Sequence, residues 1–223
     1  MSKNIFIACD TRKVSVAQKI IKFSNTKKLK IGFKFGLEFI NSKNGRYFVS
    51  KIKDKIIFAD LKLHDIPNTC ASAVKAIKDL KINYLTIHIS SGLDALKATK
   101  KVCGNIKLVG VTTLTSMDNY SLKQIGYDKK LNKLIIHQSK LANKANLDAI
   151  VCSAQELKYV RKIFKKEIIT PGIRLNSKKN DQKRKSTPKE AFKMGSDWLV
   201  IGRPITKGNI KKNIIKLINH LDK

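Results

Sequence analysis

The sequence predicts an α/β chain closed into one (β/α)8 barrel of the TIM type. Three observations carry that expectation. Eight short apolar runs recur at intervals of roughly 20 to 40 residues, at 5–9, 29–33, 56–59, 84–87, 108–111, 149–152, 168–170 and 198–201. Several are continuously apolar, as parallel strands buried on both faces are. Amphipathic stretches lie between them, and 223 residues suit one such barrel.

Taken in order, each run leads to a residue that chemistry can use. Ile5-Phe6-Ile7-Ala8-Cys9 ends on Asp10; it is too short and ends too soon on a charge for a secretory signal. The second run precedes Lys34. The third, Ile56-Ile57-Phe58-Ala59, passes straight into Asp60-Leu61-Lys62-Leu63-His64-Asp65, and Pro67 then suits the first position of a helix. Cys70, Ala73, Val74, Ile77 and Leu80 follow at helical spacing. The fourth run ends at His88, the fifth leads to Thr113 and Thr115, and the sixth to Ser153. Pro171-Gly172 follows the seventh and Gly202-Arg203-Pro204 the eighth. Ile210, Ile214, Leu217, Ile218 and Leu221 mark a final amphipathic helix. No linker or low-complexity segment divides the chain, so 1–223 is expected to be a single catalytic domain. In such a barrel the carboxyl ends of the strands share one mouth, where chemistry is done.

Composition narrows the class. Hydrophobic residues make up 42%, enough for a core, and no apolar stretch nears the ~18 residues of a membrane span. Cys9, Cys70, Cys103 and Cys152 form no Cys-x-x-Cys pair, which points to buried thiols in a reducing cytoplasm. The four histidines show no ligand spacing with them, so no metal site is expected. The charge is extreme, with 47 basic against 16 acidic residues and a formal +31. One reading is a nucleic-acid or acidic-membrane surface; the other is general lysine enrichment at replaceable positions, as an AT-rich genome gives. Only six of the 47 are arginine, the lysines are spread along the whole chain, and aromatics are only 7%. That favours enrichment, and no specific nucleic-acid partner is expected. The charge still concentrates anionic substrates near the surface.

Two segments look like a site. Residues two apart on a strand face the same side, so Asp60 and Lys62 are expected to project together. Charges beside a buried run are costly unless paired. Gly202-Arg203-Pro204 offers an approachable backbone N–H, a guanidinium fork and a helix start, which suits a phosphate after strand eight. The long polar stretch 173–188 reads as a lid.

The motifs together resemble the orotidine 5′-phosphate decarboxylase family over nearly the full length. They are Ala8-Cys9-Asp10, Gly32-Phe33-Lys34-Phe35-Gly36, the run from Asp60 to Thr69, Val111-Thr112-Thr113-Leu114-Thr115-Ser116, Thr170-Pro171-Gly172-Ile173-Arg174, Asp181-Gln182-Lys183-Arg184 and Ile201-Gly202-Arg203-Pro204-Ile205. The resemblance implies decarboxylation of orotidine 5′-phosphate to UMP, without cofactor or metal, by a cytoplasmic homodimer. It implies a charge array of Lys34, Asp60, Lys62 and Asp65, with Asp65 and Thr69 reaching into the neighbouring subunit's site. By the same carry-over, Asp10 and Lys34 hold the ribose, and Thr115 and Gln182 contact the pyrimidine. Gly202 and Arg203 hold the phosphate, and Arg174 orders that end. His64 reads as structural, and His88 as supporting the site by a hydrogen bond or by packing. Ile89-Ser90-Ser91-Gly92 departs from the small apolar residues usual in the family.

Two rivals stay in view. A magnesium-dependent sugar-phosphate lyase or decarboxylase of the same suprafamily shares the Asp-x-Lys-x-x-Asp core, but the Pro-Asn-Thr extension and the Asp-Gln-x-Arg loop favour the nucleotide enzyme. A basic nucleic-acid-binding protein on a barrel scaffold is the rival of another class.

Overall fold

Eight parallel strands close on themselves in sequence order: β1 (Asn4–Ala8), β2 (Lys30–Gly36), β3 (Ile56–Leu63), β4 (Tyr84–His88), β5 (Lys107–Val111), β6 (Ala149–Val151), β7 (Glu167–Thr170) and β8 (Trp198–Ile201). The computed structural model describes residues 3–175 and 186–222. The pairing of Asn4 with Trp198 and of Ile5 with Leu199 joins β1 to β8 and completes the ring. Closure leaves none of these eight strands with an unpaired edge.

Alternation along the strands makes two cores. Inward residues Phe6, Phe58, Tyr84, Val109, Ile169 and Trp198 fill the barrel. Phe6 and Trp198 stack with centroids 4.1 Å apart. A Cβ at Gly32 would lie 2.6 Å from the Phe6 ring, so only glycine lets β2 pass that aromatic. Outward residues such as Ile5, Ile7, Phe33 and Phe35 pack under the helices. Val14–Phe23 buries Ala17 and Ile20 there, Pro67–Ala76 buries Cys70 and Val74, and Ile210–Asp222 buries Ile214, Leu217, Ile218 and Leu221. Pro67 opens its helix, as its sequence position indicates.

The four cysteines are free and buried in this outer layer. Burial pushes the Cys9 thiol up to about 12, which leaves it a small core residue rather than a nucleophile. At the amino end of the barrel, the Tyr84 hydroxyl donates to Glu167 at 2.9 Å and Lys107 Nζ donates to the same carboxylate at 2.5 Å. No helix among the described residues is long and apolar enough to cross a membrane.

Two strands outrun their apolar runs. β2 continues to Gly36 and carries Lys34 within it; β3 continues to Leu63 and carries Asp60 and Lys62. Strand hydrogen bonding does not stop where the side chains turn polar, because the ladder is made by backbone groups. Ala59 pairs with Leu85, but the next pairing is Leu63 with Ile87, so β3 takes four steps while β4 takes two. This bulge lies at the carboxyl end of the strand, where bulges commonly re-aim side chains.

Candidate active site

The charged residues of β1, β2 and β3 converge at the carboxyl mouth. Asp60 is the hub. Its Oδ1 takes the Lys62 ammonium at 2.8 Å, and its Oδ2 lies 3.2 Å from Lys34 Nζ. Lys34 Nζ also lies 3.4 Å from Asp10 Oδ1. Exposure grades outward: the side chains of Lys34 and Asp60 are 13% and 14% accessible, Lys62 35% and Asp10 63%. The fixed pair thus sits deep, and the Lys62 ammonium can reach a ligand.

Burial and charge compete at the deep pair, and charge wins. Burial alone would raise the Asp60 carboxyl, but the Lys34 and Lys62 ammoniums outweigh it and hold it below the usual carboxylate range. Burial alone would lower Lys34, but Asp60 and Asp10 hold it above the ordinary lysine value. Both groups therefore stay ionised around neutrality.

The expected alternation does not by itself bring Asp60 and Lys62 together. Lys62 has φ +51°, a left-handed conformation uncommon outside glycine. The bulge and this φ turn its side chain back over Asp60.

A cavity of about 370 Å³ opens above the hub. Asp10, Lys34, Asp60 and Lys62 line one side. Thr113 and Thr115 come from the loop after β5, Gly172 and Arg174 from the loop after β7, and Gly202 and Arg203 from the end of β8. Gly172 has φ +78°, which favours glycine in that turn. A Cβ at Gly202 would stand 3.6 Å from Asp10 Oδ2, so the β8 end lies beside the β1 carboxylate. Pro204 sits in the first turn of the short helix Arg203–Thr206. Ile173 and Ser186 form an isolated bridge, and the Arg174 N–H donates to the Ser186 carbonyl at 3.1 Å.

Asp65 and Thr69 do not line this cavity. They belong to an exposed run, 64–69, in which Ile66 is 65% accessible. The Asp65 carboxylate accepts the Ile66 N–H at 2.7 Å. Gln182 and Arg184, with the central part of the expected lid, lie outside the described residues. His88 is half-buried, with its ring centroid 5.1 Å from that of His64. Burial first, and then the nearby His64 and Lys62, lower the His88 pKa, so its ring is neutral at pH 7.

Three residues that the sequence did not single out hold the site. Gln138, buried in helix Leu131–Lys144, accepts from the Thr113 N–H at 2.9 Å and fixes the loop bearing Thr115. Asn213 donates to the carbonyls of Ile205 and Lys207, at 3.0 and 2.8 Å, and anchors the short helix that starts at Arg203. Thr86 on β4 touches both Asp60 and Lys62. A lone polar residue inside an apolar run was the available signal for Thr86; Gln138 and Asn213 on amphipathic helices gave none.

A closed parallel barrel with a charged cavity at the carboxyl ends of its strands is the architecture of a (β/α)8 enzyme. The chain belongs to the orotidine 5′-phosphate decarboxylase / HUMPS family, whose sequence profile matches residues 3–217. It is 44% identical over 221 residues to orotidine 5′-phosphate decarboxylase of Wolbachia pipientis subsp. Culex pipiens, covering 96% of both chains. It is 44% identical over 208 residues to that of Ehrlichia canis, covering 91% of this chain and 90% of the other. Among solved structures, orotidine 5′-phosphate decarboxylase from Lactobacillus acidophilus superposes with a TM-score of 0.85 at 27% identity, covering 100% of both chains.

Proposed function

We propose that the chain converts orotidine 5′-phosphate to UMP and carbon dioxide, the last step of pyrimidine nucleotide synthesis, with Lys62 as the proton donor. The observation that carries this reading is the Asp60 carboxylate held between two ammoniums on the wall of the cavity. The substrate ring lies over Asp60 and Lys62. Its ribose hydroxyls meet Asp10 and Lys34, its pyrimidine meets Thr115 and Gln182, and its phosphate meets Gly202 and Arg203, with Arg174 ordering that end.

The chemistry follows from charge. The bond from C6 to the carboxylate breaks, its electron pair stays on C6, and carbon dioxide leaves. The resulting sp² carbanion has little delocalisation, so a site gains rate only by stabilising it more than it stabilises the substrate. The Lys62 ammonium attracts the developing charge and then transfers its proton to C6. Asp60 faces the substrate carboxylate, disfavours the ground state and holds Lys62 in place. Phosphate binding supplies remote energy that orients the ring.

The protein acts as a cytoplasmic homodimer, with Asp65 and Thr69 entering the partner's site and completing its charge array. The exposed run 64–69 supports this, since Asp65 is absent from its own cavity. The four buried free thiols suit a reducing compartment.

A magnesium-dependent relative is disfavoured because each oxygen of Asp60 faces an ammonium, which a divalent cation would have to displace. The decisive assay is loss of the orotidine 5′-phosphate absorbance in EDTA. Turnover is expected unchanged by added magnesium; a strict magnesium requirement would sink the reading.

A further inference from the structure

We propose that Thr86 is a positioning residue for the reaction: its hydroxyl holds the Lys62 backbone and the Asp60 carboxylate in the geometry that aims the Lys62 ammonium into the cavity. This rests on Asp60 and Lys62 being the reacting groups.

Thr86 sits at 0% accessibility in the middle of β4. It is the one β4 residue opposite the bulge, between Leu85, which pairs with Ala59, and Ile87, which pairs with Leu63. The bulge takes the Lys62 N–H out of the regular ladder, and that N–H donates instead to Thr86 Oγ1 at 2.7 Å. A hydroxyl has one proton to give. Because the oxygen is accepting from Lys62, its proton is free to point at Asp60, and Oγ1 lies 3.2 Å from Asp60 Oδ1. That is the oxygen the Lys62 ammonium also contacts. One hydroxyl therefore ties both ends of the Asp60–Leu61–Lys62 turn.

The requirement is for a hydroxyl, not for bulk. Lys62 is held at φ +51°, a conformation its side chain does not favour and which persists only when its surroundings impose it. Valine has threonine's shape but leaves the Lys62 N–H unsatisfied and Asp60 short of a donor. Thr86 is not part of the cavity wall, so it makes no substrate contact of its own and acts through Asp60 and Lys62.

The test compares Thr86→Val and Thr86→Ser with wild type, in kcat and KM for orotidine 5′-phosphate and in inhibition by UMP. Thr86→Val is expected to lower kcat by about 10- to 100-fold, with KM and UMP inhibition within about threefold, because the reacting group is misaimed while the phosphate end is intact. Thr86→Ser is expected to recover kcat to within about fivefold of wild type, since it keeps the hydroxyl. A folded Thr86→Val protein with kcat within about twofold of wild type overturns the proposal. So does a loss confined to KM. Should Thr86→Val not fold, Thr86→Ser is compared with Thr86→Ala: both lack the methyl, only one keeps the hydroxyl, and equal kcat values overturn the proposal. Lys62→Ala run in parallel separates the two levels. If Lys62→Ala retains turnover, the assignment of Lys62 fails and this proposal goes with it. If Lys62→Ala is inactive while Thr86→Val is unimpaired, only the role of Thr86 fails.

Discussion

The Lys62 ammonium lies 2.8 Å from Oδ1 of Asp60, two residues before it on the same strand. The contact is made across a bulge, with Lys62 in a left-handed backbone conformation. It gives the more accessible of the two Asp60-bound lysines a fixed direction into the cavity.

Replacing Lys62 by alanine is expected to remove turnover while UMP still binds. A proton donor acts after the ground state, so its loss falls on kcat. General acid groups contribute about 10²- to 10⁴-fold, and at least that loss is expected. UMP binding by calorimetry and single-turnover decay of the substrate absorbance are the two measurements. Turnover within about tenfold of wild type, an effect of only ~1.4 kcal/mol, removes Lys62 from the mechanism.

Arg203→Ala is expected to raise KM strongly and also to slow turnover. Its side chain is exposed at the cavity rim beside Gly202, at the end opposite the chemistry in the proposed pose. The control is orotidine without its phosphate. On that truncated substrate the mutation is expected to cost little; an equal penalty on both substrates overturns the phosphate assignment.

Mixing Asp65→Asn with Lys62→Ala is expected to restore activity. In a heterodimer with shared sites, one site has both wild-type residues and the other has lost both. Random exchange then regenerates about a quarter of the wild-type rate. Each subunit carries a formal +31, so moderate salt should favour the dimer by screening repulsion, even as it weakens capture of the anionic substrate. Subunit exchange followed by a tag, with no recovered activity, returns Asp65 to its own subunit's site.

Stability is expected to carry the charge array across a wide pH window. The folded Asp60 pKa lies below its unfolded value, so its contribution is complete above about pH 4–5 and is lost as pH falls through the folded pKa. The folded Lys34 pKa lies above its unfolded value, so its contribution is complete below about pH 10 and is lost as pH rises through the folded pKa. Urea unfolding of wild type and Lys34→Met is expected to differ by a constant amount from about pH 5 to 9, with the gap narrowing outside that range. A gap that changes steeply between pH 6 and 8 points instead to His88.

Much of the fold and most of the candidate site were legible in the sequence, because they depend on order along the chain. Apolar runs at strand length name the eight strands, and a closed parallel barrel puts the residues after each run at one mouth. That brings Asp10, Lys34, Asp60, Lys62, Thr115, Arg174, Gly202 and Arg203 to one cavity although they span most of the chain. What the tertiary structure decided is how those residues are aimed. The four-against-two pairing of β3 with β4 and the left-handed Lys62 are properties of two strands together. So is the hydrogen bond from Lys62 to Thr86, 24 residues away. Read alone, Thr86 is one hydroxyl in an apolar run, and Gln138 and Asn213 are polar positions on amphipathic helices. Their roles arise only when a backbone group displaced from its regular ladder, or left open in a loop, must find a partner elsewhere, because a buried N–H or carbonyl without one is too costly to keep.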